Sequence, residues 1–362
     1  MKQQYYGVEL IRELSMCFGP SGCEDEVRRV IREQIGDAAL VTTDRAGNLI
    51  ALVRGRGLDY RADEPARLMV CAHMDEVGFM VREITEEGYL KFSAIGAMDP
   101  RVLCGRRVRM RDGATLSREL SAVIATKAIH MQTAEERSRV TPVGKMYMDI
   151  GTGSAEEAEK YAAIGDCGVF DSDFVTFGKD DACLKGKALD GRLGCAVLIE
   201  VIRDLYNSPA DMPFDVYFVF TCRQEVGISG ASVAAYTVKP HMAWTVGATD
   251  ACDLPGVPEA ARTAVLGDGC VLSLADRTAL YDPALIAYAR RCAEAHDIAY
   301  QIKQGTGGAS DGGVIQRSMA GVRTVSLSVP VRYPHTASVT ARLCDYEAMR
   351  GLLRVMLRNW EP

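Results

Sequence analysis

PFDVYFVFTCRQEVGISGA, residues 213–231, decides how the chain is read. Its first half is a nearly unbroken apolar run from Phe214 to Phe220, as expected of a strand covered on both faces of a parallel sheet. Its second half is a small-residue turn holding one carboxylate, Glu225, beside an uncharged near-isostere, Gln224. A carboxylate just past a buried strand is costly unless it is paired or bound to a cation. Three readings are open: the remains of a catalytic pair, a metal ligand with a polar neighbour, or the cap of the next helix.

Outward from this stretch, similar units repeat. NLIALVRG and ARLMVCAH read as strands before it, HMAWTVGAT and GVRTVSLSV after it. Helical patterns alternate with them: GRLGCAVLIEVIRDLYN, DPALIAYARRCAEAHDI and YEAMRGLLRVMLRNW. Near the N-terminus, SGCEDEVRRVIREQI opens with Ser21 and has Glu24 three residues on, the pattern of a capping box. Strands alternating with helices predict an α/β fold with a mostly parallel sheet flanked by helices. Ligands in such sheets bind beyond the carboxyl ends of the strands. Between about 83 and 180 the texture changes to short alternating segments such as GYLKFSAIG, GRRVRMR and ELSAVIATKAI, with one helix expected, in GSAEEAEKYAAIG. That stretch is expected to be a small β-rich unit inserted into a host formed by 1–82 and 181–362.

The bulk properties exclude several classes. The chain has 362 residues, 48% hydrophobic and 25% charged, enough for a large core. A net charge of −6 gives no electrostatic footprint for nucleic acid. No run of roughly 18 apolar residues marks a membrane span, and MKQQYYGVELIRELSMC lacks the apolar stretch of a secretory signal. The 12 cysteines stand singly within apolar runs, with no C-x-x-C pair. They read as buried, reduced thiols, which places the protein in the cytoplasm.

Histidine is scarce, five in all. His130, His241 and His296 have structural contexts. His73 ends a strand and is followed by Asp75, so a metal-bound imidazole oriented by a carboxylate and a plain surface turn are both open. Asp190, in KALDGRLG, either caps the following helix or bridges cations at the sheet edge. His335 follows a strand and a Pro-ordered turn in VPVRYPHTAS. Together His73, Asp190, Glu225 and His335 make an N/O donor set suited to zinc, or to cobalt or manganese.

In order along the chain, AHMDEVGFMV, GKALDGRLG, QEVGISGA and RYPHT resemble the tetrahedral and glutamyl aminopeptidase family of di-metal exopeptidases, and the likeness covers nearly the whole chain. The inserted segment, with IATKAIHM and MYMDIGTGSAEEAE, is similar to that family's dimerisation domain. The resemblance implies two metal ions about 3.5–4 Å apart that polarise a peptide carbonyl and hold a nucleophilic water. Asp190 would bridge them, His73 would bind the first, Glu225 and His335 would complete the second, and Asp75 would orient His73. It further implies removal of N-terminal residues from short peptides, with dimers gathered into a dodecamer.

Four positions depart from the family pattern. The family has two adjacent glutamates, a general base and then a ligand, whereas this chain has Gln224 before Glu225. An amide has no basic lone pair at neutral pH. The family's Asp ligand of the first metal falls on Gly247, counted back from Pro255-Gly256, with Asp250 the substitute if the loop shifts. Gly191 stands where the family has the second Asp of an Asp-Asp pair. Ser310-Asp311, where the family has Thr-Asp, either lines the substrate cleft or forms a plain turn. The resemblance therefore leaves two functions open: a metallo-aminopeptidase with altered chemistry and one or two ions, or a non-catalytic relative that binds a metal or peptide or serves in assembly. A glycosidase would need two facing carboxylates and no metal, which leaves the histidines unexplained.

Overall fold

The computed structural model describes residues 7–56, 65–113 and 118–360. Its centre is four parallel strands in the spatial order Phe214–Thr221, Ala66–His73, Met242–Asp250 and Arg323–Arg332. Antiparallel strands extend the sheet on both sides. Leu49–Val53 and Leu40–Thr43 lie on one flank, and Val339–Arg342, Cys183–Gly186 and Val175–Phe177 on the other. The parallel character expected from the sequence thus belongs to the centre, where apolar runs are longest because both faces are covered.

Side-chain alternation assigns each face. Leu68, Val70 and Ala72 join Phe214, Val216 and Phe218 in one core, against the helices Val8–Met16, Asp25–Ile35, Leu189–Asn207, Pro283–Ala295 and Leu343–Arg358. Met69, Cys71, Val219 and Ala243 pack on the opposite face, against the helices Ser229–Val238 and Gly312–Ile315. With a period of two, His73 follows Cys71, and Thr245 and Gly247 follow Ala243, onto this second face. In register, Thr221 lies opposite His73, and Thr245 opposite Cys71. Parallel pairing therefore gathers several strand ends at one edge. Among the described residues no helix is long and apolar enough to cross a membrane.

The inserted unit is a closed six-stranded barrel, in the order Gly78–Ile84, Leu90–Ile95, Tyr147–Asp149, Glu119–Ala125, Arg107–Arg111 and Cys167–Phe170. Phe79 sits in its core, edge-on to Phe92 and Phe170 at 5.4 and 5.3 Å. Its strands run from Gly78 to Phe170, so the expected limits of 83 and 180 both shift toward the N-terminus. The chain passes from the His73 strand into the barrel through residues 74–77 with no change of composition. Val175–Phe177 instead pairs with the large sheet.

Two local expectations change. The helix in GSAEEAEKYAAIG is a single turn, Ala155–Ala158, and a second turn, Ala134–Arg137, carries its own capping box from Thr133 and Glu136. The box expected at Ser21 and Glu24 does not form, and the helix starts at Asp25. Ser21 Oγ donates instead to Asp75 Oδ2 at 2.5 Å, while Glu24 Oε1 accepts the backbone N–H groups of Gly22 and Arg223. A buried carboxylate without donors costs more than an uncapped helix end, so the tertiary partner wins.

Candidate metal centre

Asp190 is the hub of the site. Its backbone and that of Gly191 are outside helical geometry, so the carboxylate stands ahead of the regular helix rather than within it. Asp190 Oδ1 is 3.4 Å from His73 Nε2, and Oδ2 is 3.6 Å from His335 Nε2. Glu225 Oε2 lies 3.3 Å from the same His335 nitrogen. Ligand atoms of Asp190, Glu225 and His335 all fall within 4.8 Å of one another, and His73 joins them through Asp190. Four side chains scattered along the sequence meet at one sheet edge. Both rings present Nε2 to the acids because Nδ1 is engaged elsewhere. His335 Nδ1 donates to Ala97 O at 2.7 Å, from the loop after a barrel strand, and His73 Nδ1 donates to Asp75 O at 3.2 Å. Binding one ring nitrogen to a carbonyl selects the tautomer that leaves the other free for a metal.

The electrostatics follow from this crowding. Burial by itself raises the Asp190 pKa, but hydrogen bonds from His335 and His73 overcome it and lower the value. Burial pulls His335 down, while Asp190 and Glu225 push it up to about 11. His73 is likewise raised against its burial by Asp190 and Asp75. Three carboxylates thus draw protons onto two imidazoles where a divalent cation would otherwise compensate them. The donor chemistry and spacing fit such an ion.

Asp75 is fully buried and organises the surroundings. Its oxygens accept from Ser21 Oγ and from the backbone N–H groups of Gln224 and Glu225, both at 3.0 Å, and Oδ1 is 3.5 Å from His73 Nδ1. It holds the His73 ring and the Glu225 backbone in one frame. Asp75→Ala is expected to weaken divalent-ion affinity about 10–100-fold, the usual cost of losing a partner behind a ligand, as measured by calorimetry with zinc. An unchanged affinity would remove Asp75 from this role.

The departing positions are explicit in three dimensions. Gln224 Nε2 donates to Ala309 O at 3.2 Å, so the amide is anchored through the group a glutamate lacks. A Cβ on Gly247 would meet nothing within 4 Å, so the position opens onto empty space. Asp250 borders the same cleft and feels the charges of Asp190 and His335, but it is not among the three residues whose ligand atoms lie within 4.8 Å of one another. Regular pairing continues through Asp250 opposite Val331, so the loop shift that would carry it to the seat of Gly247 does not occur. Gly191, at φ +83°, must lack a side chain, because a Cβ would come within 2.6 Å of the His73 ring.

His73, Asp190, Gln224, Glu225, Gly247, Asp250, Ser310, Asp311 and His335 all border one cleft of about 470 Å3. Ser310 and Asp311 are therefore more than a turn. Ser310 Oγ is 2.6 Å from Tyr281 Oη, and Asp311 Oδ2 accepts from Thr221 Oγ1 at 2.6 Å. Sequence reasoning missed Thr245, Asp276, Tyr281 and Lys303 on the same walls. Only the glycine-rich stretch after Lys303 hinted at a loop there. A larger groove of about 1010 Å3 lies near Glu9 and Arg203, but its charges are committed to pairs such as Arg350–Glu200 and Arg354–Asp204. Of the other histidines, His241 Nδ1 accepts from Arg67 N and His296 Nδ1 donates to Cys292 O.

Residues 47–352 match the sequence profile of the M42 glutamyl aminopeptidase family. The chain belongs to that family. This M42 chain is 32% identical to the TET aminopeptidase of the marine sediment archaeon Thaumarchaeota archaeon SCGC AB-539-E09, with a TM-score of 0.92 over 98% of this chain and 96% of that one. It is 31% identical to the Pyrococcus horikoshii TET1 peptidase, which can assemble into a tetrahedron or a large octahedral shell; the TM-score is 0.85 over 98% and 100%. The lysyl aminopeptidase of Pyrococcus furiosus is 28% identical over 365 residues, covering 98% of this chain and 97% of its own. Membership in this divalent-metal-dependent family supports a peptidase function.

Proposed function

We propose that this M42 chain is a metal-dependent aminopeptidase that removes N-terminal residues from short peptides, with its general base and one first-ion ligand replaced. The observation that carries the reading is the convergence of Asp190, Glu225 and His335 within 4.8 Å inside a cleft. These three would hold one ion tightly, and His73 with Asp190 would make a weaker second position, because Gly247 contributes no ligand. Zinc suits the N/O donors best, with cobalt or manganese as alternatives. An ion there supplies Lewis acidity, polarising a carbonyl and making water more acidic. Asp75 keeps the His73 ring and the Glu225 backbone in place. Gln224 borders the reacting space without a basic lone pair, so water loses its proton without help from that seat, and turnover is slow.

The relatives' assemblies support self-association, with the barrel pairing two copies and the dimers building a dodecamer. The barrel exposes Ile129 and Met131 at 70% and 65%, apolar surface that pairing would bury. A cytoplasmic location accords with the cysteine usage.

The anchored Gln224 amide favours a second reading, a non-catalytic relative that retains ion and peptide binding. The test is a panel of aminoacyl-p-nitroanilides with zinc, cobalt or manganese, set against N-acetylated controls. Metal-dependent turnover restricted to free amines is the expected outcome. Ion uptake without turnover at any metal would establish the second reading.

A further inference from the structure

Two buried polar atoms on the cleft walls, Asp311 Oδ1 and Thr245 Oγ1, have no partner among the described residues. Their residues are 5% and 4% exposed. Thr245 lies two residues before Gly247, on the same face of the same strand. Asp311 is tied through its other oxygen to Thr221, the register partner of His73. Both orphan groups therefore adjoin the metal centre on the sheet face that carries His73 and Gly247, where a Cβ on Gly247 would meet only open space. Neither Lys303 nor His73 bonds these two atoms: Lys303 Nζ donates to Gly307 O at 2.6 Å, and His73 faces Asp190 and Asp75.

A buried carboxylate with an unpaired oxygen is costly, and native proteins rarely leave one unexplained. Burial raises the Asp311 pKa to about 6, with His73 lowering it in part. A partner suited to both would be a cationic donor with several N–H groups, offering one to the carboxylate and one to the hydroxyl. A primary ammonium has that geometry. An exopeptidase must also distinguish a free N-terminus from an acylated one.

We propose that Asp311 and Thr245 form the socket for the free α-ammonium group of the substrate. This rests on the exopeptidase reading. The carbonyl of the first residue would then lie toward Asp190 and Glu225.

The test is calorimetric binding of L-leucinol, a primary amine with no cleavable bond, and of N-acetyl-L-leucinol to the zinc-loaded full chain at pH 8. Wild type is expected to bind the first and not the second. Asp311→Asn keeps an acceptor for Thr221 but loses the charge, and is expected to weaken leucinol binding roughly 10–100-fold, the range of a charge-assisted hydrogen bond. Thr245→Val is expected to weaken it less, and both variants should keep their zinc. Thermal stability separates this role from a structural one. A carboxyl raised to about 6 in the fold is disfavoured as a charge above that pH, so Asp311→Asn at pH 8 should melt no lower than wild type. If Asp311→Asn binds leucinol as wild type does while acetylation still abolishes binding, the socket is refuted and the exopeptidase reading stands. If wild type does not distinguish the two probes, that reading fails and the socket with it.

Discussion

The Gln224→Glu, Gly247→Asp double variant is expected to hydrolyse aminoacyl-p-nitroanilides about 10²–10⁴-fold faster than the natural chain, the usual worth of a positioned general base. Gly247 admits the aspartate at no steric cost, since its Cβ position is empty to 4 Å. There the new carboxylate would stand on the face that carries His73 and, on the proposed reading, supply a further ligand for the first ion. The change at Gln224 is less simple. Its amide now donates to Ala309 O, and a glutamate would set two acceptors against each other. Either the new side chain turns toward the ions, or it stays and binds a proton more readily than an exposed carboxyl, a property useful in a base. The single variants divide these effects. Gly247→Asp alone should raise ion content, and Gln224→Glu alone should raise the rate only modestly. A double variant no faster than wild type, with two ions bound, would show that base and ligand are not what limits this chain.

Removing Asp190 should have the largest effect on the metal. Asp190→Ala is expected to lose divalent-ion affinity by more than about 100-fold, because a direct ligand outweighs the 10–100-fold of a supporting partner. The geometry singles out Asp190, among the described residues the one carboxylate paired with both His73 and His335. Metal content by mass spectrometry after dialysis, with calorimetric titration of zinc, measures the loss. Ion loading of wild type should also release protons, since both imidazoles are raised by their acidic neighbours and must be neutral to act as ligands. Asp190→Ala that retains its ion at full affinity would place the centre elsewhere.

What the chain's own order determined is its set of strands and the chemistry at their ends. Phe214–Thr221, Ala66–His73, Met242–Asp250 and Arg323–Arg332 are legible because a strand buried on both faces needs a nearly continuous apolar run. That His73, Asp190, Glu225 and His335 gather at one edge was legible because the carboxyl ends of parallel strands lie side by side. Gln224 and Gly247 were legible only against the family's pattern. Tertiary structure decided the rest. Ser21 and Glu24 make a local capping pattern, yet the buried Asp75 takes the Ser21 hydroxyl. Unbroken pairing through Asp250 leaves it three residues from Gly247 and outside the close group of Asp190, Glu225 and His335. The anchor of Gln224 on Ala309 and the unpaired oxygen of Asp311 join segments remote in sequence. Local patterning reports which groups must leave water, because that depends on each residue and its near neighbours. Which partner a buried polar group then finds, or fails to find, depends on the segments that packing brings against it.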